Sequence, residues 1–265
     1  MVDPLLEREY NARALVPDHQ RFFLFWREAS QRAREEAPGH LDLAYGPSPE
    51  ERLDLFPAEP SRGLLVFFHG GYWRAFSKDE FSWIAPPLVR AGWSVAVVNY
   101  GLCPQVSLGE LVEQCRRSVD WLVANFSHLG PMVLAGHSAG GHIVGMLWAT
   151  DWSLRGPRVP GVVGGLSLSG LFDLEPLLRT SINGDLRLAP EEVPGLSPAR
   201  LAPSLQAPLV AAVGGMESSE FKRQSRLLAE RWPGVLYLEL ENRHHFDILE
   251  ELVNPLGALW RALPT

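Results

Sequence analysis

Five short, nearly continuous apolar runs constrain this chain more than any other feature. They are Gly63-Leu64-Leu65-Val66-Phe67-Phe68, Trp93 to Val98, Met132 to Ala135, Val162 to Leu168 and Pro208 to Val213. Each is shorter than an ordinary helix and lacks the polar alternation of a half-exposed strand, so each reads as a strand covered on both faces. Helical patterns separate them at 80–91, 107–126, 138–150 and 217–232, with a last one at 246–262. Strand and helix in strict alternation predict a parallel sheet, because a parallel neighbour needs a crossover of a dozen residues or more. Val235 to Leu240 adds a final strand.

The first forty residues obey a different pattern. Residues 18–37 predict a helix: Asp18 stands at the cap position, Phe22, Phe23, Phe25 and Trp26 supply an apolar face, and Pro38-Gly39 ends the run. His40 to Tyr45 and Arg52 to Phe56 alternate polar and apolar residues around Gly46-Pro47-Ser48-Pro49, as an antiparallel hairpin at a sheet edge would. The whole is expected to be an α/β fold of about eight strands, mostly parallel, with helices on both faces. Residues 176–207 break the rhythm with prolines at 176, 190, 194, 198 and 203, and are read as a short lid or cap insertion. At 265 residues and 46% hydrophobic, one large domain, 1–265, accommodates all of this, with residues 1–39 as an N-terminal helical segment.

A net charge of −7 and a pI near 5.6 exclude a nucleic-acid surface, and the most apolar stretches fall short of the ~20 residues that span a bilayer. Cys103 and Cys115 are too few for a disulfide framework and wrongly spaced for zinc, so both are expected to be reduced. The N-terminus carries no basic region followed by an apolar core, so the expected location is cytoplasmic. The expected partner is a small-molecule substrate, neither nucleic acid nor membrane, and a homodimer is left open.

In open α/β sheets, functional groups gather beyond the carboxyl ends of the strands. Met132-Val133-Leu134-Ala135-Gly136-His137-Ser138-Ala139-Gly140-Gly141 reads as strand, sharp turn and helix, and its turn fits G-x-S-x-G, which makes Ser138 a candidate nucleophile. One strand-helix unit earlier, His69-Gly70-Gly71-Tyr72-Trp73 is similar to the HGGG-type loop that supplies an oxyanion hole. The donors would be the N–H groups of Gly71, Tyr72 and Ala139. A serine of ordinary pKa needs a base, and the base needs an acceptor to hold its tautomer. After the last strand stands Asn242-Arg243-His244-His245-Phe246-Asp247, where His245 is the candidate base and His244 a neighbour that is either solvated or shapes the pocket. For the acid, Glu217 follows the strand ending at Val213, with Glu220 one helical turn on and Asp173, after the preceding strand, as its competitor. His137 and His142 flank the serine and are assigned to packing. The histidines show no metal-ligand spacing, so neither metal nor cofactor is expected. Aromatics crowd the strand ends; Tyr72, Trp73, Tyr100, Phe172 and Phe246 are the candidate substrate contacts, with Phe76 and Trp83 nearby.

Jointly these motifs resemble the α/β-hydrolase superfamily, within the branch shared by hormone-sensitive-lipase-like esterases and the kynurenine formamidases. Tyr45-Gly46-Pro47 before Arg52-Leu53-Asp54, Tyr72-Trp73 in place of a third oxyanion glycine, and Asn99-Tyr100-Gly101-Leu102-Cys103-Pro104 look closer to the formamidases. So do Glu217-Ser218 leading into Glu220-Phe221-Lys222-Arg223-Gln224-Ser225, and His245-Phe246-Asp247. Two positions depart from the family pattern: Glu217 stands where many members have aspartate, and Gly101 where an acidic residue is frequent. The resemblance implies an α/β-hydrolase fold and hydrolysis of N-formyl-L-kynurenine to kynurenine and formate, in tryptophan degradation, through a Ser-His-acid triad and a formyl-enzyme. With that substrate, Arg243 or another arginine would be expected to meet the amino-acid carboxylate. The same residues would serve a carboxylesterase for short acyl esters, and a hydrolase-like binding protein without turnover is the reading from another class.

Overall fold

The computed structural model describes residues 1–156 and 160–263. Three helices come first, α1 (Pro4–Glu9), α2 (Ala12–Leu15) and α3 (Gln20–Glu36). The side chains of Asp3 and Asn11 cap α1 and α2, whereas Asp18 pairs with Arg21 and α3 begins without a side-chain cap. Strands β1 (His40–Ala44) and β2 (Arg52–Phe56) then form the expected hairpin. After them alternate β3 (Leu64–Phe68), α4 (Ala85–Arg90), β4 (Ser94–Val98), α5 (Leu108–Phe126), β5 (Met132–His137), α6 (Ala139–Trp148) and β6 (Val162–Leu168). Two short helices, α7 (Asn183–Leu186) and α8 (Val193–Leu196), precede β7 (Leu209–Gly214), α9 (Ser219–Arg231), β8 (Val235–Leu240), α10 (Leu249–Leu252) and α11 (Ala258–Arg261).

The strands form one sheet in the order β1-β2-β4-β3-β5-β6-β7-β8. The pairs β1–β2 and β2–β4 are antiparallel and all others parallel. Every residue of β3, β4, β5 and β7 is buried, which is why those segments read as unbroken apolar runs.

Two helical stretches differ from the sequence reading. The pattern at 80–91 resolves into two 3-10 turns and the short α4, whose first turn holds Pro86 and Pro87. The pattern at 246–262 splits into α10 and α11, because Pro255 disfavours helical backbone at Asn254 before it.

A buried ionic cluster fixes α3 against the sheet. Asp54 on β2 is fully buried and lies 3.0 Å from Lys78 Nζ and 2.9 Å from Arg34 of α3. Lys78, itself buried, also meets Asp42 at 2.6 Å and Asp79 at 2.8 Å. Removing either buried member, Asp54 or Lys78, leaves the other short of a partner, at a cost of about 3–5 kcal/mol. The consequence for the site is that α3 holds its aromatic face over the carboxyl end of the sheet.

Candidate active site

The turn between β5 and α6 is built by close approach. A Cβ at Gly136 would sit 2.1 Å from the carbonyl oxygen of Gly140, and one at Gly140 would sit 1.9 Å from that of Phe68 on β3. Only glycine fits both positions, and the chain between them turns so sharply that Ser138 takes φ 55° and ψ −116°. A non-glycine residue with such a backbone stores about 1–3 kcal/mol, held here by the surrounding sheet. Ser138 N–H donates to the carbonyl of Leu168 on β6 at 2.8 Å, anchoring the serine at the sheet centre.

The loop after β3 is equally tight. Gly71 has φ 114°, where a Cβ would lie 2.2 Å from the carbonyl of Ala75, and Tyr72 and Trp73 follow at φ 51° and 56°. Among the described residues the N–H groups of Gly71 and Tyr72 find no acceptor. Ala139 opens α6, and the first N–H groups of a helix have no partner inside it. All three donors are thus free to serve an oxyanion.

Across the cavity, His245 Nδ1 donates to Glu217 Oε2 at 2.6 Å. The other carboxylate oxygen, Oε1, accepts from Gly214 N–H at 2.7 Å and from Ser169 Oγ at 2.6 Å. A buried carboxylate with three donors is satisfied as an anion, and as an acceptor it keeps the imidazole proton on Nδ1 and the Nε2 lone pair available. Sequence reasoning missed Ser169; its signal was a serine at the carboxyl end of β6, in the stretch searched only for an aspartate. Asp173 instead pairs with Arg200 at 2.8 Å, and Glu220 with Arg223 and the Tyr10 hydroxyl, so neither reaches His245.

The flanking histidines are structural. His137 Nε2 donates to the carbonyl of His245 at 2.7 Å, and His142 Nε2 to that of Leu196 at 2.8 Å. Burial pushes the pKa of His137 well below the ordinary imidazole range and that of His142 down to about 4, so both are neutral. His244 accepts from the N–H groups of Phe246 and Asp247 and shapes the loop. Among the described residues no three His, Cys, Asp or Glu side chains form a group suited to a metal ion.

Ser138, His245, Gly71 and Tyr72 share the wall of one cavity of about 260 Å³. Of the proposed substrate contacts, Tyr72 and Phe246 line it and three others do not. Trp73 is fully buried with its ring 4.9 Å from that of His142. Tyr100 stacks on His69 at 4.2 Å and donates its hydroxyl to the His69 carbonyl. Phe172 is buried against Gly145 and Gly170, where an added Cβ would meet its ring. Trp83 is packed on Phe25 and lies outside the lining, while Phe76 belongs to it. Arg243 is engaged by Glu250 at 2.6 Å and Glu251 at 2.7 Å and does not line the cavity.

The N-terminal segment supplies what these residues do not. Tyr10, Asn11, Ala12 and Arg13 line the cavity, as do Phe23 and Trp26 of α3, whose rings lie 5.3 and 6.1 Å from that of Phe246. The run of aromatics at 22–26 was visible in the sequence, but a helical pattern cannot tell which surface it covers.

A family profile described as alpha/beta hydrolase fold matches residues 65–192, from β3 through the serine turn. Fold, site and match define the class: an α/β hydrolase acting on linear amide or ester bonds. The kynurenine formamidase of Danio rerio is 33% identical over 240 residues, covering 86% of this chain and 82% of that one. That of Salmo salar is 35% identical over 241 residues, with the same coverage. A solved structure from Silicibacter sp. TM1040, assigned as a thioesterase, superimposes with a TM-score of 0.89 at 32% identity, over 97% of this chain and 98% of that one. This chain belongs to the kynurenine formamidase family of α/β hydrolases. Among the described residues no helix is long and apolar enough to cross a membrane.

Proposed function

We propose that the protein is a serine hydrolase that cleaves the formyl amide of N-formyl-L-kynurenine, giving kynurenine and formate in tryptophan degradation. Ser138 Oγ attacks the formyl carbon as its proton passes to His245 Nε2. The N–H groups of Gly71, Tyr72 and Ala139 hold the developing oxyanion, each contributing about 3–4 kcal/mol to the transition state. His245 then gives its proton to the departing aryl amine as the C–N bond breaks, leaving formyl-Ser138. Water, deprotonated by His245, attacks the formyl-serine, and formate leaves as the serine recovers its proton. Glu217 remains ionised and stabilises the imidazolium formed in each half-reaction.

The observation that carries this reading is the 2.6 Å bond from His245 to a buried, threefold-satisfied Glu217 on the cavity that holds a strained serine. The relatives supply the substrate class, and the cavity suits it. A formyl group needs almost no acyl pocket, and Phe23, Trp26, Phe76 and Phe246 offer an aromatic wall to the leaving group. Residues 176–207 act as a cap through Ser181 and Ile182, which line the same cavity.

Comparing kcat/KM for N-formylkynurenine with that for p-nitrophenyl acetate tests the substrate: the formamide is the preferred one, and the opposite order makes this an esterase. A fluorophosphonate probe labels the wild type once per chain and leaves Ser138→Ala unlabelled. An unlabelled wild type overturns the nucleophile and leaves a binding protein.

A further inference from the structure

The cavity wall carries three charged side chains, Glu7, Arg13 and Arg74. Two are already engaged. The Glu7 carboxylate accepts from Ser181 N–H at 2.7 Å and Ser181 Oγ at 2.5 Å. Arg74 Nη1 lies 2.5 Å from Asp185. Arg13 has neither ion pair nor hydrogen bond among the described residues, and its guanidinium lies over the Phe23 ring, 5.3 Å from the centroid. It is exposed, so no buried neighbour depends on it for satisfaction.

Its place relative to the reaction centre is set by a series of ring contacts. Phe246 lies 5.4 Å from His245, Phe23 lies 5.3 Å from Phe246, and Arg13 sits 5.3 Å over Phe23. A base at one end, aromatic faces between and an unpaired guanidinium at the other match a molecule with three parts: a scissile acyl amide, an aryl ring and an anionic tail. Arginine suits a carboxylate there, because its planar fork donates two parallel hydrogen bonds while its face stays on the aromatic ring.

We propose that Arg13 binds the carboxylate on the aryl leaving group and thereby selects formamides that carry an amino-acid tail. The proposal rests on the formamidase reading above. Arg13 makes no contact with the reacting bond, so it acts on substrate choice.

The test compares two substrates, N-formylkynurenine and its analogue without the carboxyl group, N-formylkynuramine. The wild type prefers the carboxylate substrate, and in Arg13→Gln the ratio of the two kcat/KM values falls about 10- to 100-fold, chiefly through KM for the carboxylate substrate. Arg13→Lys restores part of the ratio, because it keeps the charge and loses the fork. Arg13→Gln should melt at the wild-type temperature, which separates the effect from misfolding. A ratio unchanged in Arg13→Gln, with both formamides still turned over, overturns this proposal alone. Failure of the wild type to hydrolyse either formamide overturns the formamidase reading and this proposal with it.

Discussion

Ser138, Gly71 and Ala139 owe their positions to main-chain geometry, whereas the opposite side of the cavity is held by side-chain ties. The floor of the cavity sits on the ends of β3, β5, β7 and β8, where glycines permit contacts that a single methyl group would forbid. The cover consists of α1 to α3 and the segment carrying α7 and α8. It is fastened by Arg179 to the Asp3 carboxylate, by Glu7 to Ser181, by Arg74 to Asp185, and by the Tyr10 hydroxyl to Glu220 and Gln224. A floor made of backbone can change little without losing the turn itself. A cover made of side-chain ties can change piece by piece; under the proposed function, the chemistry resides in one region and the choice of substrate in the other.

The largest expected effect breaks the floor. Glu217→Gln keeps the shape of the acid but removes its charge, and kcat should fall roughly 10³- to 10⁴-fold. Asp173→Asn, which touches the Arg200 ion pair and a 3.5 Å bond from Glu175 N–H, should stay within about twofold. Steady-state rates for the two variants measure this, and the reverse ranking would move the acid to Asp173.

Acid should loosen the floor before the cover. Burial holds His69 and His142, both in or beside the floor, down at about 4 against an ordinary value of 6.5. The unfolded chain therefore takes up these protons first, so their stabilisation is complete above about pH 6.5 and is lost as the pH falls toward 4. At pH 5 the loss is about 2 kcal/mol for each. Urea midpoints at pH 7 and pH 5 report it. His142→Gln should show a smaller drop between the two pH values, and an unchanged drop would remove His142 from the account.

The smallest effect touches the cover. Tyr10→Phe loses the 2.6 Å bond to Glu220 and the 2.8 Å bond from Gln224, about 1–3 kcal/mol of local stability. Residues 1–16 should then exchange amide hydrogens faster, and the kinetic loss should fall on KM. An equal fall in kcat would mean that floor and cover are one unit.

The same division explains what could be read from the sequence. Strands β3, β4, β5 and β7 were legible because burial on both faces leaves an unbroken apolar run, and the serine turn because only glycine fits its two flanks. Glu217 stood at the end of its strand, where the sheet rule sends acids, and the structure brings it to His245 rather than Asp173. Trp73, Tyr100 and Phe172 were misplaced because a position at a strand end does not say which way a side chain turns; all three point into packing. Phe23 and Trp26 escaped as cavity residues because their partners lie far along the chain, at 76, 81 and 246, and periodicity carries no information on such pairings. Ser169 escaped because a hydroxyl that supports a carboxylate has no spacing of its own.

Tyr10 ties the cover down in two ways that a changing sequence would meet differently. Its hydroxyl needs a tyrosine, but the bond it receives from Tyr72, at 2.6 Å, ends on its main-chain carbonyl. Any residue at position 10 supplies that carbonyl, so a substitution there spares the link to the oxyanion loop, while the loss or gain of one residue in the preceding turn would slide the carbonyl away. At this link the N-terminal segment is therefore tolerant of spelling and intolerant of length.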